Sequence, residues 1–521
     1  VGGLSGTGAT GSGTGGTFTG EPPEEEQEEE FQAPVASGRF LWAANPASNR
    51  VALVDAESLD VASLEAGYTP TYLAALPAAG GRTAGAAVIN VNGRDVTLFS
   101  LPEGDVEVDA KSVTTLTLPL FGAANAWKVS AKGAFAIAWT NAKDLTAADP
   151  TEGFQDVTVI DRRSDAPSAT RLSVGYRPTQ VFIDEDETFA FVVSEPGISV
   201  IDLTADGGPA VVRELFLPEQ TLDAPRDVSF VPSGKYAFVR IEGEKKIHIV
   251  DTESDTRKVV ALPAAATDLD VSRDGDRAVV VMRAPTAPEE PVTGASGSAG
   301  APVVEDDEPS RVAVLTVATI VSDPATFALY EIDEFFGSAV VSKDGKRALL
   351  FTNAVAHDTL GILDLDTGSH RELDLKAPVK AAYLTSDGNN AVALLSPPEG
   401  STKLGAFALV PVDKVLPPRI EGTDAPTFLV ALSTTPARAL VTTRDEVGSA
   451  HATYLASFPS LSVDRVDLPS RPLASGLVPE AGKGFVAEQH EEGRVTFVDL
   501  ADGSARTLTG FELGSKVVDG E

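Results

Sequence analysis

The run Arg39-Phe-Leu-Trp-Ala-Ala-Asn45, with Arg50-Val-Ala-Leu-Val-Asp55, Leu59-Asp-Val-Ala-Ser-Leu64, Gly67-Tyr-Thr-Pro70 and Tyr72-Leu-Ala-Ala-Leu76 behind it, decides the fold. Apart from the Gly-to-Pro turn, each piece is a short apolar or alternating segment bounded by turn residues, which is the pattern of a strand. Four strands in about 40 residues, with no helical periodicity between them, predict an antiparallel meander.

The pattern recurs along the chain. Its second strand ends in an aliphatic residue followed by Asp at Val54-Asp55, Ile160-Asp161, Ile201-Asp202, Val250-Asp251, Leu363-Asp364 and Val498-Asp499. An Asp just past a strand accepts hydrogen bonds from backbone amides two residues on, which accounts for these carboxylates without catalysis. Tight turns at Pro232-Ser-Gly-Lys235, Arg273-Asp-Gly-Asp276, Lys343-Asp-Gly-Lys346 and Ser386-Asp-Gly-Asn389 read as joints between consecutive units, with Gly where positive φ is needed. Units begin near residues 39, 84, 133, 188, 235, 277, 347, 391, 438 and 484. The widest interval contains segment 284–309, rich in Pro, Gly, Ser, Ala and acids, which reads as a disordered insertion.

Four-stranded units of this length are β-propeller blades: each small sheet is apolar on both faces and is covered by its neighbours in a ring. The expected fold is all-β, a β-propeller of about ten four-stranded repeat units over residues 39–521. That number fits one large ring, two smaller rings, or a ring with extra stacked sheets.

Composition narrows the function. The chain carries 76 acidic against 41 basic residues, a net charge of −35, which argues against nucleic acid and anionic membrane as partners. With no cysteine, disulfides, thiolate metal sites and iron–sulfur clusters are excluded. No apolar run is long enough for a transmembrane helix. Residues 1–38 form a tail: Val1 to Gly20 is nearly all Gly, Ser, Thr and Ala, and Glu21-Pro-Pro-Glu-Glu-Glu-Gln-Glu-Glu-Glu30 is acidic. The first part lacks side chains for a core and the second repels itself, so neither is expected to fold. Such a tail is similar to the spacer behind a bacterial lipoprotein anchor, and the absence of an initial Met reads as a processed form. The expectation is an exported protein, periplasmic or surface-associated and lipid-anchored in its precursor. Its expected partner is a protein or cell-envelope ligand, with the oligomeric state open.

Trp42-Ala-Ala-Asn45, Val54-Asp55 and Gly67-Tyr-Thr-Pro70 together resemble the bacterial YVTN-type propeller repeat, which runs from an aliphatic–Ala–Asn strand through a Val–Ile–Asp strand to a Gly-x-x-Pro turn. Trp139-Thr-Asn141, Val157-Thr-Val-Ile-Asp161 and Gly175-Tyr-Arg-Pro178 repeat it. The resemblance implies a propeller and an exported location. The family's relatives include lactonase-like propellers, with a metal or an acid–base pair at the ring centre.

Candidate chemistry is sparse. His248, His357, His370, His451 and His490 are scattered, without the three or four convergent ligands of a zinc site. The acidic stretches Asp184-Glu-Asp-Glu187, Glu305-Asp-Asp-Glu308 and Asp364-Leu-Asp366 lack the spacing of a calcium loop and read as solvated turns. No nucleophile elbow or phosphate-binding loop occurs. No catalytic residue and no cofactor are therefore nominated, and a metal at the axis is left open. Long loops at 141–155, 284–309 and 397–403 are the candidate binding elements. The leading expectation is a binding or scaffolding module at the cell envelope. The alternative is a metal-assisted lactonase or other hydrolase at the axial channel.

Overall fold

The computed structural model describes residues 34–104, 109–141, 154–219, 225–283, 310–397, 400–458 and 460–511. Its strands form ten four-stranded antiparallel sheets, each a meander in which strands adjacent in sequence pair. In the first blade these are Val35–Ser37, Phe40–Asn45, Arg50–Asp55 and Val61–Glu65. The remaining blades span residues 70–119, 126–173, 180–216, 226–261, 265–332, 338–374, 379–423, 427–467 and 472–509. First strands of most neighbouring blades touch around the circle, and those of the tenth and first blades also touch. The first strands are therefore innermost, and each fourth strand is an outer edge.

Burial follows from that placement. The second strand Phe40–Asn45 is buried along its whole length, because both its faces meet other sheets, whereas the fourth strand Val61–Glu65 is mostly exposed. Ten apolar clusters hold the ring, and each is shared by two neighbouring blades. Between blades 1 and 2, the fully buried Trp42 stacks on Phe99 with ring centres 5.7 Å apart and donates its Nε1–H to Ser37 Oγ at 2.8 Å. Between blades 10 and 1, Phe485 and Phe497 pack with Leu41 and Val54. Cluster follows cluster without an intermediate closure, so the molecule is one ten-bladed ring and not two smaller ones.

The repeat boundaries shift by one strand from the sequence reading. Tyr72 and its equivalents open the next blade instead of closing their own: Pro70–Leu76 pairs with Gly85–Asn90. The Asp-Gly turns accordingly lie inside blades, between first and second strands. These tight reversals set hairpin pairing between their flanking strands, whereas the Gly-x-x-Pro turn carries the chain from an outer edge back to the axis. The count of ten is unchanged, and the first inner strand, Val35–Ser37, falls four residues ahead of the boundary drawn at 39. Residues 1–33, including the acidic run, and the whole of 284–309 lie outside the described residues.

Two recurring devices join blades. In the Gly-x-x-Pro turns, Gly67 N–H donates to Thr97 Oγ1 (3.3 Å) and Gly175 N–H to Ser199 Oγ (2.9 Å), each a buried hydroxyl on the next blade. A Cβ on Gly67 would stand 2.4 Å from Asn90 and Asp95 atoms, and one on Gly175 would stand 2.0 Å from Ser194 Oγ, which is why Gly occupies both positions. On the outer edges, Arg213, Lys258, Arg371 and Arg419 occupy the same register position of four fourth strands, opposite Val200, Ile249, Ile362 and Leu409. Each donates to a backbone carbonyl of the following blade: Thr252, Val321, Pro411 and Leu461 respectively.

Candidate functional site

The meander sorts its connections onto two faces. Second-to-third connections and blade-to-blade connections lie on one face, here the loop face; first-to-second and third-to-fourth turns lie on the other, the turn face. The three long segments picked out in the sequence are all second-to-third connections, entered after Trp139, Arg283 and Leu395. They therefore leave the ring on the same face. Residues 142–153, 284–309 and 398–399 within them, and with them Glu305 to Glu308, lie outside the described residues.

Four of the five histidines belong to the loop face, but to different blades. His248 Nε2 lies 3.4 Å from Glu244 Oε2. His357 lies 3.4 Å from Glu334 and beside the rings of Phe335 and Phe336, with Arg283 over Phe335 at 4.6 Å. His451 is buried and accepts the Asp445 N–H at Nδ1 (3.3 Å); burial, helped by Arg471 and Arg444, holds its pKa below the usual imidazole value against the pull of Asp445. His490 Nδ1 accepts the Glu492 N–H at 3.2 Å. His370 begins a fourth strand at the turn face, 3.4 Å from Glu372. Among the described residues, no three His, Asp or Glu side chains gather into a group able to hold a metal.

The acidic turns are capped by their own backbone. All six aliphatic-Asp carboxylates accept the amide two residues on, at 2.8–3.1 Å. The stretch Asp184–Glu187 is not the fully solvated turn expected: Asp184 and Glu187 are buried, and Asp184 Oδ1 accepts the Thr188 and Phe189 amides at 2.7 and 3.1 Å. At Asp364-Leu-Asp366, Asp364 also accepts from the Thr367 hydroxyl at 2.8 Å, which with the backbone amides pulls its pKa down, and Asp366 pairs with Arg277.

Three carboxylates that the sequence reading did not single out are buried or half-buried. Asp268 and Asp270 belong to the inner strand Ala265–Val271 and reach across to the next blade, where they accept the Ala339 and Val341 amides, each at 2.7 Å. Desolvation pushes Asp270 up to about 6, against the opposing effects of the Val341 and Val271 amides and Arg273. Glu488 is fully buried at the register position occupied by Asn45 and Asn90 in the first two blades. It accepts the Thr496 hydroxyl at 2.6 Å and the Ser470 amide at 2.9 Å; desolvation raises its pKa and these bonds oppose the rise. The available signal was an Asp-x-Asp inside an otherwise apolar inner strand, and a Glu where sister blades carry Asn. These groups bind backbone and hydroxyl partners, so they tie blades and hairpins together.

Among the described residues, two hollows carry charged linings. One, about 360 Å³, is on the loop face between blades 2 and 3, lined by Arg94, Phe121, Asp156 and Arg171 among others. The second, about 300 Å³, is on the turn face of blades 6 to 8, lined by Asp274, Lys343, Asp344, Ser386 and Asp387. Its three aspartates accept from Ser272, Ser342 and Thr385 hydroxyls at 2.6–2.8 Å and cap their own turns. Neither hollow sets a nucleophile beside a base.

No protein-family model matches the sequence, and no curated protein matches it. Among solved structures, similarity is architectural. A eukaryotic initiation factor shares 11% identity over 82% of this chain and 94% of its own, with a TM-score of 0.51. The dihydro-heme d1 dehydrogenase NirN shares 12% over 86% of this chain and 76% of its own (TM-score 0.43). The propeller domain of Cps50 (Swd1) from Myceliophteria thermophila shares 13% over 63% of this chain and 95% of its own (TM-score 0.34). At these identities the likeness is one of fold, and the chain is a β-propeller of ten blades.

Proposed function

We propose that this chain is an exported binding or scaffolding propeller of YVTN-type ancestry that takes a protein or cell-envelope ligand on its loop face. One observation carries the reading: the two longest connections of the ring, residues 140–155 and 284–309, both leave it on that face. Loops held by a rigid ring can vary without cost to the core, which is the economy of a recognition surface. Export is supported by the Gly/Ser/Thr tail and acidic run; the cysteine-free composition is compatible with any redox compartment.

The missing cysteines make the test clean. Ser401→Cys places one thiol on the loop face, and Ser233→Cys places one on the turn face; both positions are exposed. A photocrosslinker attached to each should capture the ligand from Ser401→Cys and not from Ser233→Cys. Equal capture, or capture from Ser233→Cys alone, sinks the loop-face assignment. Labelling of either thiol in intact cells by a membrane-impermeant maleimide is expected for an exported chain, and labelling only after lysis contradicts export.

A further inference from the structure

The first-to-second connection of blade 2, residues 77–84, is the longest of its kind in the ring. Gly80 (φ 60°) and Gly81 (φ 81°) turn it back on itself, and the Arg82 guanidinium lies where a Cβ on Gly80 would be, 3.1 Å from Nη2. From there Arg82 Nη2 donates to the Lys132 carbonyl of blade 3 at 2.9 Å. Arg162, from the third-to-fourth turn of blade 3, donates Nη1 to the adjacent Gly133 carbonyl at 2.8 Å and is only 6% exposed. Two guanidiniums thus meet on one turn.

Among the described residues, neither has a carboxylate within ion-pair distance; their hydrogen bonds go to carbonyls. Asp161, whose carboxylate feels the charge of Arg82, is itself held in a fork by Arg163 at 2.7 and 3.0 Å. In the neighbouring turn Glu187 accepts the Lys132 amide at 2.5 Å and Asp184 is committed to backbone amides, while Glu185 and Asp186 are exposed to solvent. The Lys132 ammonium, which donates to the Glu185 carbonyl at 2.9 Å, adds a third cation nearby. Buried cations are normally paired. Burial, followed by the charge of Arg82, lowers Arg162 to about 10, so it stays charged near neutrality. The edge cations that reach carbonyls of the next blade do so singly, so blade joining does not require two on one turn.

We propose that Arg82 and Arg162, bordered by Lys132, bind a phosphate-type oxyanion on the turn face between blades 2 and 3. Guanidinium forks match the oxygen geometry of such an ion, and its charge cancels their mutual repulsion. On a chain of net charge −35, long-range attraction is absent, so the local geometry selects a compact, multiply charged anion. This site lies on the face opposite the long loops and is independent of the function proposed above.

Calorimetric titration and thermal melting of the full chain at matched ionic strength test it, with inorganic phosphate, glycerol phosphate and chloride as probes. Phosphate should bind saturably and raise the melting midpoint, Arg82→Gln should weaken it at least about tenfold, and Lys132→Gln should weaken it less. Arg371→Gln, which removes a blade-joining cation on a distant edge, should leave it unchanged. A response to both phosphates assigns a site that accepts esters; a response to inorganic phosphate alone assigns one for the free ion. No response beyond chloride, or equal binding by wild type and Arg82→Gln, overturns the proposal. If Arg82→Gln fails to fold, unchanged affinity in Lys132→Gln overturns it, since the Lys132 side chain is exposed.

Discussion

Asp270 is a single residue whose ionisation works against the fold. Its carboxylate is desolvated on an inner strand, and the Val341 and Val271 amides and Arg273 compensate only in part. A folded pKa near 6, above the unfolded value of 3.8, means that the folded state prefers the protonated form. The stability from this residue is then fully present below about 3.8 and is lost as pH rises through 6. Asp270→Asn keeps an acceptor for Val341 and removes the charge. In urea denaturation it should match wild type near pH 4 and exceed it by roughly 1–2 kcal/mol at pH 7.5. A difference independent of pH would show that the carboxylate is not desolvated.

Among the elements, the outer edges show how single basic residues join blades. Arg213, Lys258, Arg371 and Arg419 stand at one register position on four blades, and each ties its strand to the following blade through a carbonyl. A hydrogen bond from a charged donor contributes about 1.5–3 kcal/mol, less where solvent reaches it. Replacing Arg371 by Met keeps much of the aliphatic stem and removes the donor, and should cost about 1 kcal/mol in chemical denaturation. Arg213→Met should cost a similar amount, and the pair should be additive because the two joints lie three blades apart. Coupling of the two losses would mean that the edges act as one continuous belt.

For the whole molecule, closure rests on face packing. Among the described residues no strand is shared between chain ends: the first blade is built from residues 35–65 and the tenth from 472–509, and they meet through Leu41, Val54, Phe485 and Phe497. Removing residues 472–511 would uncover apolar faces on two blades at once, including Leu41 and Val54 on one side and Leu440 and Leu455 on the other. The truncated chain should lose its cooperative melt and bind an apolar dye. A monomeric nine-bladed chain melting at the original temperature would show that the ring tolerates a missing member.

The strands, the turn caps and the number of blades were legible in the sequence, because each depends on residues a few positions apart. Asp55 and its five equivalents cap the turns that their positions predicted, and the second strands begin within two residues of the expected unit starts. Which strand opens a blade was less visible: Tyr72 reads equally well as a fourth strand or a first one until its pairing with Ile89 is known. One ring or two, the common face of the long loops, and the meeting of Arg82 with Arg162 were decided only in three dimensions. Each brings together residues far apart in the chain, and whether a carboxylate or a guanidinium finds a partner there depends on what the neighbouring blade presents.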